Sequence, residues 1–174
     1  NMNGFLRMMN NQFEPSIVAL EEARRVQRSI DDLQMNDLTS AAAYAEATAW
    51  QVQTYAAMDR GPDLKRAAKE AVAVTAQVLE KRPGHMHALR AQALATSPLA
   101  NHLSNEMNLA EALRTTRETA KAWREFTRLD PGNVVSWNNL GVAYRIQNFI
   151  EQDMGRPADA ADGRWGQVPL KILI

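Results

Sequence analysis

The chain has 174 residues, the length of one average domain. Its 20 Lys and Arg balance 20 Asp and Glu, so a net charge of zero argues against generic attraction to nucleic acid or an anionic membrane. The absence of Cys excludes disulfides, thiolate zinc sites and cysteine nucleophiles, and 28 Ala against 8 Gly and 7 Pro point to an all-α fold.

No stretch approaches the ~18 apolar residues of a membrane span, so no membrane insertion of this segment is expected. Asn1-Met2-Asn3-Gly4 is neither a basic leader nor followed by an apolar signal core. The first helical stripe is Phe13, Ile17, Leu20, Ala23, Val26, Ile30 and Leu33, at spacings of three and four. Glu21, Glu22, Arg24, Arg25 and Arg28 fall on the opposite, solvated face, where the arginines are balanced by Glu21, Glu22, Asp31 and Asp32. A second, Ala-rich helix is predicted over about 36–59, capped by Asp37 or Thr39.

Gly61-Pro62 turns the chain into a third helix with Leu64, Ala67, Ala68, Ala71, Val74, Val78 and Leu79 on one side, ending near Arg82-Pro83-Gly84. The next helix carries Leu89, Ala93 and Leu94 and is predicted to stop near Thr96, because the residue before Pro98 disfavours helix. Residues 97–107 then read as a short extra helix or a loop. A long helix follows with Leu109, Leu113, Thr116, Ala120, Trp123 and Phe126, closing at Leu129-Asp130-Pro131-Gly132. Asn133 caps another, through Trp137, Leu140, Tyr144 and Phe149 to about Asp153, and Gly155-Arg156-Pro157 opens a short last helix to about Gln167. The tail over 168–174 is apolar, interrupted by Pro169, and is expected to pack in extended form on the last helical pair or on a neighbouring molecule.

Two turns repeat. Glu80-Lys81-Arg82-Pro83-Gly84 and Arg128-Leu129-Asp130-Pro131-Gly132 have prolines 48 residues apart, and self-similarity at such a period signals a stack of helical pairs. Six residues after Pro131 comes Trp137-Asn138-Asn139-Leu140-Gly141-Val142-Ala143-Tyr144, a W-x2-L-G-x2-Y pattern. A Gly inside a helix costs about 1 kcal/mol against Ala. Its use at Gly141 therefore predicts a neighbouring helix too close for a side chain, with Trp137, Leu140 and Tyr144 filling the surrounding groove.

On these residues the chain resembles the tetratricopeptide repeat family. Six residues after Pro83, Leu89 takes the tryptophan position and Ala93 the glycine position. Trp123 and Phe126 hold the large and small apolar positions of a second helix, and Phe126 in place of Ala implies wider spacing there. Gly4, Phe13, Ser16, Leu20 and Ala23 match the latter part of a repeat, as if the chain were a domain cut from a larger protein. The resemblance implies a right-handed superhelical solenoid of about four antiparallel helix pairs over residues 1–167, the first truncated, followed by the tail. The departures from a 34-residue period are about seven residues between Tyr144 and Gly155 and an excess around 97–107. They read as insertions of whole turns that preserve the inward face.

Candidate chemistry is sparse. His85 and His87 are two apart and so point to different helix faces, and His102 stands alone, which argues against metal or general-base roles. Gly163-Arg164-Trp165-Gly166 lacks the spacing of a phosphate loop, and no G-x-S-x-G or H-E-x-x-H occurs. The eight Met, including Met2, Met8, Met9 and Met35, read as gap-fillers in helix packing. No enzyme activity, metal or cofactor is expected.

The resemblance implies instead a concave face that holds a protein or peptide partner, or another domain of the parent chain. Carried over by position, that face comprises His87, Arg90 and Leu94 on one helix and Val135, Asn138, Val142 and Arg145 on the next. Asn138 offers donors and acceptors to an extended backbone, and Arg90 and Arg145 could hold a carboxylate. The family's carboxylate clamp is not reproduced, because Val135 and Asn139 stand where it is basic. The alternative is a regulatory or sensor domain of a larger enzyme, transporter or transcription regulator.

Overall fold

The computed structural model describes residues 8–31 and 37–155, with side chains omitted over 27–31, and places six α-helices and no strand among them. They are α1 (Phe13–Asp31), α2 (Leu38–Ala57), α3 (Gly61–Lys81), α4 (Met86–Asn105), α5 (Leu109–Leu129) and α6 (Val134–Asp153). The expected helix over 157–167 and the tail over 168–174 lie outside the described residues, as do Gly4, Met2, Met35, Leu33 and the side chains of Arg28 and Ile30.

The caps set a strict period. Asp37, His85 and Asn133, each accepting a backbone N–H of the first turn, stand 48 residues apart and open helices of 20 residues each. Between them α3 and α5 are 21 residues each and again begin 48 apart. The excess over a 34-residue repeat is therefore not a local insertion around 97–107. Its fourteen residues amount to about four helical turns, shared between the two helices of each pair.

The ends of the first helices repeat too. Asn11, Asp59, Met107 and Gly155 have φ of 57°, 55°, 60° and 65° and are also 48 apart. After α2, the Arg60 N–H reaches Tyr55 O and the Asp59 N–H reaches Ala56 O; after α4, the Asn108 N–H reaches Leu103 O and the Met107 N–H reaches Ser104 O. This is the double bond pattern of a left-handed helix stop, in which Gly is the residue without strain.

Pro98 does not end α4, contrary to the rule that predicts a stop near Thr96. The helix runs through it to Asn105. Proline removes the N–H that would bond to the carbonyl four residues back. That carbonyl, Leu94 O, accepts instead from Gln53 Nε2 of α2 at 2.8 Å. The defect in one helix has become a tie to another.

Short connections turn each helix back along the previous one, and α2 additionally lies against α4. That contact is built from Ala45 and Ala49 facing Ala91 and Ala95, in one core with Val52, Leu64, Ala67, Ala68 and Ala71. The core of α4, α5 and α6 is bulkier: Leu89, Ala93, Trp123, Phe126, Leu140 and Tyr144. Correspondingly, α6 rests on α5 and touches α4 only marginally. Ile150 closes the far end of α6 against Leu103 and Leu113.

Three positions depart from the sequence pattern. Arg24 is not on the solvated face: its guanidinium enters between helices, 2.7 Å from Gln51 Oε1, 2.7 Å from the Tyr44 hydroxyl and 2.5 Å from Glu70 Oε1, while Tyr44 itself bonds Glu70. Val26, assigned to the buried stripe, is 46% exposed at this end of α1, where the polar contact of Arg24 replaces apolar packing. Phe149 is 58% exposed, because five residues past Tyr144 lies on the other side of the helix and Ile150 takes the inward place. Arg25, by contrast, pairs with Glu22 in solvent as the charge pattern predicts.

Four substitutions test these features. Met107→Gly should raise stability by about 1 kcal/mol by relieving the left-handed backbone, and Gly155→Met should lower it by a similar amount. Gln53→Ala should cost roughly 1–2 kcal/mol in chemical unfolding, since it orphans Leu94 O. The cost should shrink when Pro98→Ala restores the helical donor; equal costs in both backgrounds would refute the tie.

Candidate functional site

The residues proposed for a concave face divide. On α4, His87 and Arg90 project toward α2, where Glu46 engages both: Oε2 lies 3.2 Å from His87 Nδ1 and Oε1 lies 3.5 Å from Arg90 Nη1. Arg90 is therefore already supplied with a carboxylate by its own chain. Leu94 is partly buried against both main apolar cores.

On α6 the carried-over residues stay together on one accessible side. Val135, Asn138 and Arg145 are exposed, Val142 is half-buried, and Phe149 continues the line. Neither Asn138 nor Arg145 has a hydrogen-bond or ion-pair partner among the described residues. The spacing of three and four that defines the line on α4 continues past Pro98 to Ser97 and Asn101. These two were hidden by the expected helix end at Thr96. Beyond them, an open cavity of about 270 Å³ at the α2–α3 turn is lined by Gln53, Asp59, Arg60, Ser97, Asn101 and Asn105, among others.

Gly141 does not show the close approach expected of it. A Cβ built there would meet nothing within 4 Å among the described residues. The rest of the motif has a visible physical basis. Leu140 and Tyr144 are buried against α5, and the Trp137 indole N–H donates to Pro131 O at 3.0 Å, which accounts for the six-residue offset between that proline and tryptophan.

The histidines have structural partners. His102 lies in the space left by Gly61, where an added Cβ would be 2.6 Å from its ring, and its Nε2 is 3.3 Å from Glu106 Oε1. Glu106 in turn accepts from Lys65, a contact that holds its carboxyl below the usual glutamate range. Among the described residues no three His, Asp or Glu side chains converge as a metal site. Met58, Met86 and Met154 fill edges of the apolar cores, whereas Met9 and Met107 are exposed.

No protein-family model matches the chain, and neither does any curated protein or solved structure.

His85 is the one repeat cap that can titrate near neutrality. Its Nδ1 accepts from the Ala88 N–H at 3.4 Å, and burial, reinforced by Arg82 and His87, pushes its pKa below the ordinary histidine value. The neutral ring is the form that caps. Its contribution to stability is thus full above the ordinary value near 6.5 and is lost as pH falls through that value toward the depressed one. His85→Asn, which copies the cap at Asn133, should remove this acid-sensitive component from a stability profile between pH 7.5 and 5. An unchanged slope would show that the cap does not titrate there.

Proposed function

We propose that this chain is a non-enzymatic interaction module: a right-handed solenoid of antiparallel helix pairs, similar to tetratricopeptide repeats but with a 48-residue period. It holds a peptide or protein segment along the inner side of α4 and α6. The observation that carries this reading is the accessible line Val135, Asn138, Val142, Arg145 and Phe149 on α6, facing away from that helix's packed side. A helix whose exposed side alternates apolar residues with an amide and a guanidinium can bury side chains of a partner while bonding its backbone or a carboxylate. Ser97 and Asn101 extend the same chemistry on α4.

Peptides selected from a displayed library on the immobilised protein provide the probe. Arg145→Glu combined with Asn138→Ala should weaken the selected peptides by about tenfold or more, the scale of losing a charge-assisted hydrogen bond at an interface. Arg25→Glu, on α1 and paired with Glu22, should leave them within about twofold. Equal binding to all three proteins would refute the assignment.

A further inference from the structure

The opposite side of α6 carries a second feature, independent of the inner face. Arg117, Lys121 and Arg124 lie at spacings of four and three on α5, and with Tyr144 and Gln147 of α6 they line an open cavity of about 320 Å³. Its floor is Ala120. Arg124 donates through Nη2 to the Tyr144 hydroxyl at 2.7 Å and through Nε at 3.1 Å. Arg117 Nη2 is 3.3 Å from Glu151 Oε1, and that oxygen also accepts from Gln147 Nε2 at 2.8 Å. Lys121 has no ion-pair partner among the described residues.

The repeat supplies the comparison that gives this cluster meaning. One period earlier the same backbone positions hold Lys69, Val72, Ala73 and Ala76 on α3, and Thr96 and Leu99 on α4. There the face is predominantly apolar and lies under α5, which forms the other wall of the groove. At the later position Ala73 is replaced by Lys121, Ala76 by Arg124, Thr96 by Tyr144 and Leu99 by Gln147. A surface built to be covered by another helix in the same way would keep the small and apolar residues. This one replaces them with hydrogen-bond donors, beside which stand Glu151, paired with Arg117, and Glu118 and Glu125 of α5.

The geometry points to a binding site for a phosphate monoester dianion. Arg117, Lys121 and Arg124 against Glu118 and Glu151 leave one net positive charge, with Glu125 held by Arg128, so the donor arrangement rather than charge matching selects the dianion. Two guanidinium groups, an ammonium and the Tyr144 hydroxyl, whose own proton is not used in accepting from Arg124, surround the cavity as donors. Glu151 and Gln147 orient Arg117, and Tyr144 orients Arg124. The chemistry is shared by a phosphorylated side chain of a peptide and by a small free phosphate monoester.

The test is calorimetric titration of the whole chain at constant ionic strength. The probes are phosphoserine, an Ala-rich peptide containing one phosphoserine, the same peptide unphosphorylated, and sodium chloride. Binding of both phosphoserine probes at equal strength assigns the site to the phosphate group alone, and tighter binding of the phosphopeptide assigns it to a modified protein segment. In either case affinity should rise from pH 5 to pH 7.5 as the ester loses its second proton near pH 6. Lys121→Glu and Arg124→Glu, both at exposed side chains, should each reduce affinity by about tenfold or more, while Arg124→Lys keeps part of it and Arg25→Glu on α1 changes it less than about twofold. No binding of either phosphoserine probe, binding matched by the unphosphorylated peptide or by chloride, or equal loss in the Arg25→Glu control would overturn the proposal. None of these results bears on the inner face of α6.

Discussion

The α2–α4 seam is the contact on which the arrangement turns. Helices approach to the short end of their usual 8–10 Å separation only where side chains are small, and here Ala45 and Ala49 meet Ala91 and Ala95. Alanine contributes little apolar area but loses no rotamer freedom, so the seam is stabilised by dense backbone packing at small entropic cost. Close approach also brings polar groups within reach that a Leu-rich seam would hold apart. Gln53 can reach a carbonyl of α4, and Glu46 can sit between His87 and Arg90. Where the small residues run out, α6 is held by α5 through larger side chains and stands off from α4.

The regular backbone lets one position carry different chemistry in successive periods. Gly61 and His102 meet in one pair, and 48 residues later Leu109 and Ile150 pack in the same core. In the earlier pair a ring fills the space left by an absent side chain; in the later one two aliphatic groups divide it. The capping position is likewise filled by Asp37, His85 and Asn133, three acceptors of different acidity. A guanidinium from the second helix of one pair reaches a tyrosine of the next first helix twice, at Arg24–Tyr44 and Arg124–Tyr144, but one turn apart along the repeat. The backbone period is thus stricter than the side-chain pattern.

Much of this was legible from local signals. Asp37 and Asn133 are caps by residue type, Pro62 stands in the first turn of α3, and the apolar spacing of α3 and α5 matches their buried sides. What escaped was set by residues distant in sequence. Pro98 obeys a rule about its own helix until a side chain 41 positions upstream of Leu94 satisfies the freed carbonyl. Arg24 looks solvent-facing until Tyr44 and Glu70 are brought to it. Of the candidate site, the positions came from the family resemblance and their spacing puts those on α6 on one side, whereas the packing of Leu94 against two cores depends on residues of other helices. The cationic cleft drew no notice because the acids interleaved on α5 make the helix look like an ordinary charged surface.

The marginal contact of α6 with α4 has a mechanical side. A helix clasped from two directions moves only with both neighbours, while one held along a single edge has that edge as an axle. The α2–α3–α4 part, with its alanine seam and the Gln53 tie, would carry bending as one stiff block. By that criterion the α5–α6 contact, like the α1–α2 contact at the other end, is an edge about which a helix can turn. Trp123, Phe126, Leu140 and Tyr144 fill that edge at α5–α6, so turning about it would change the opening beside α6.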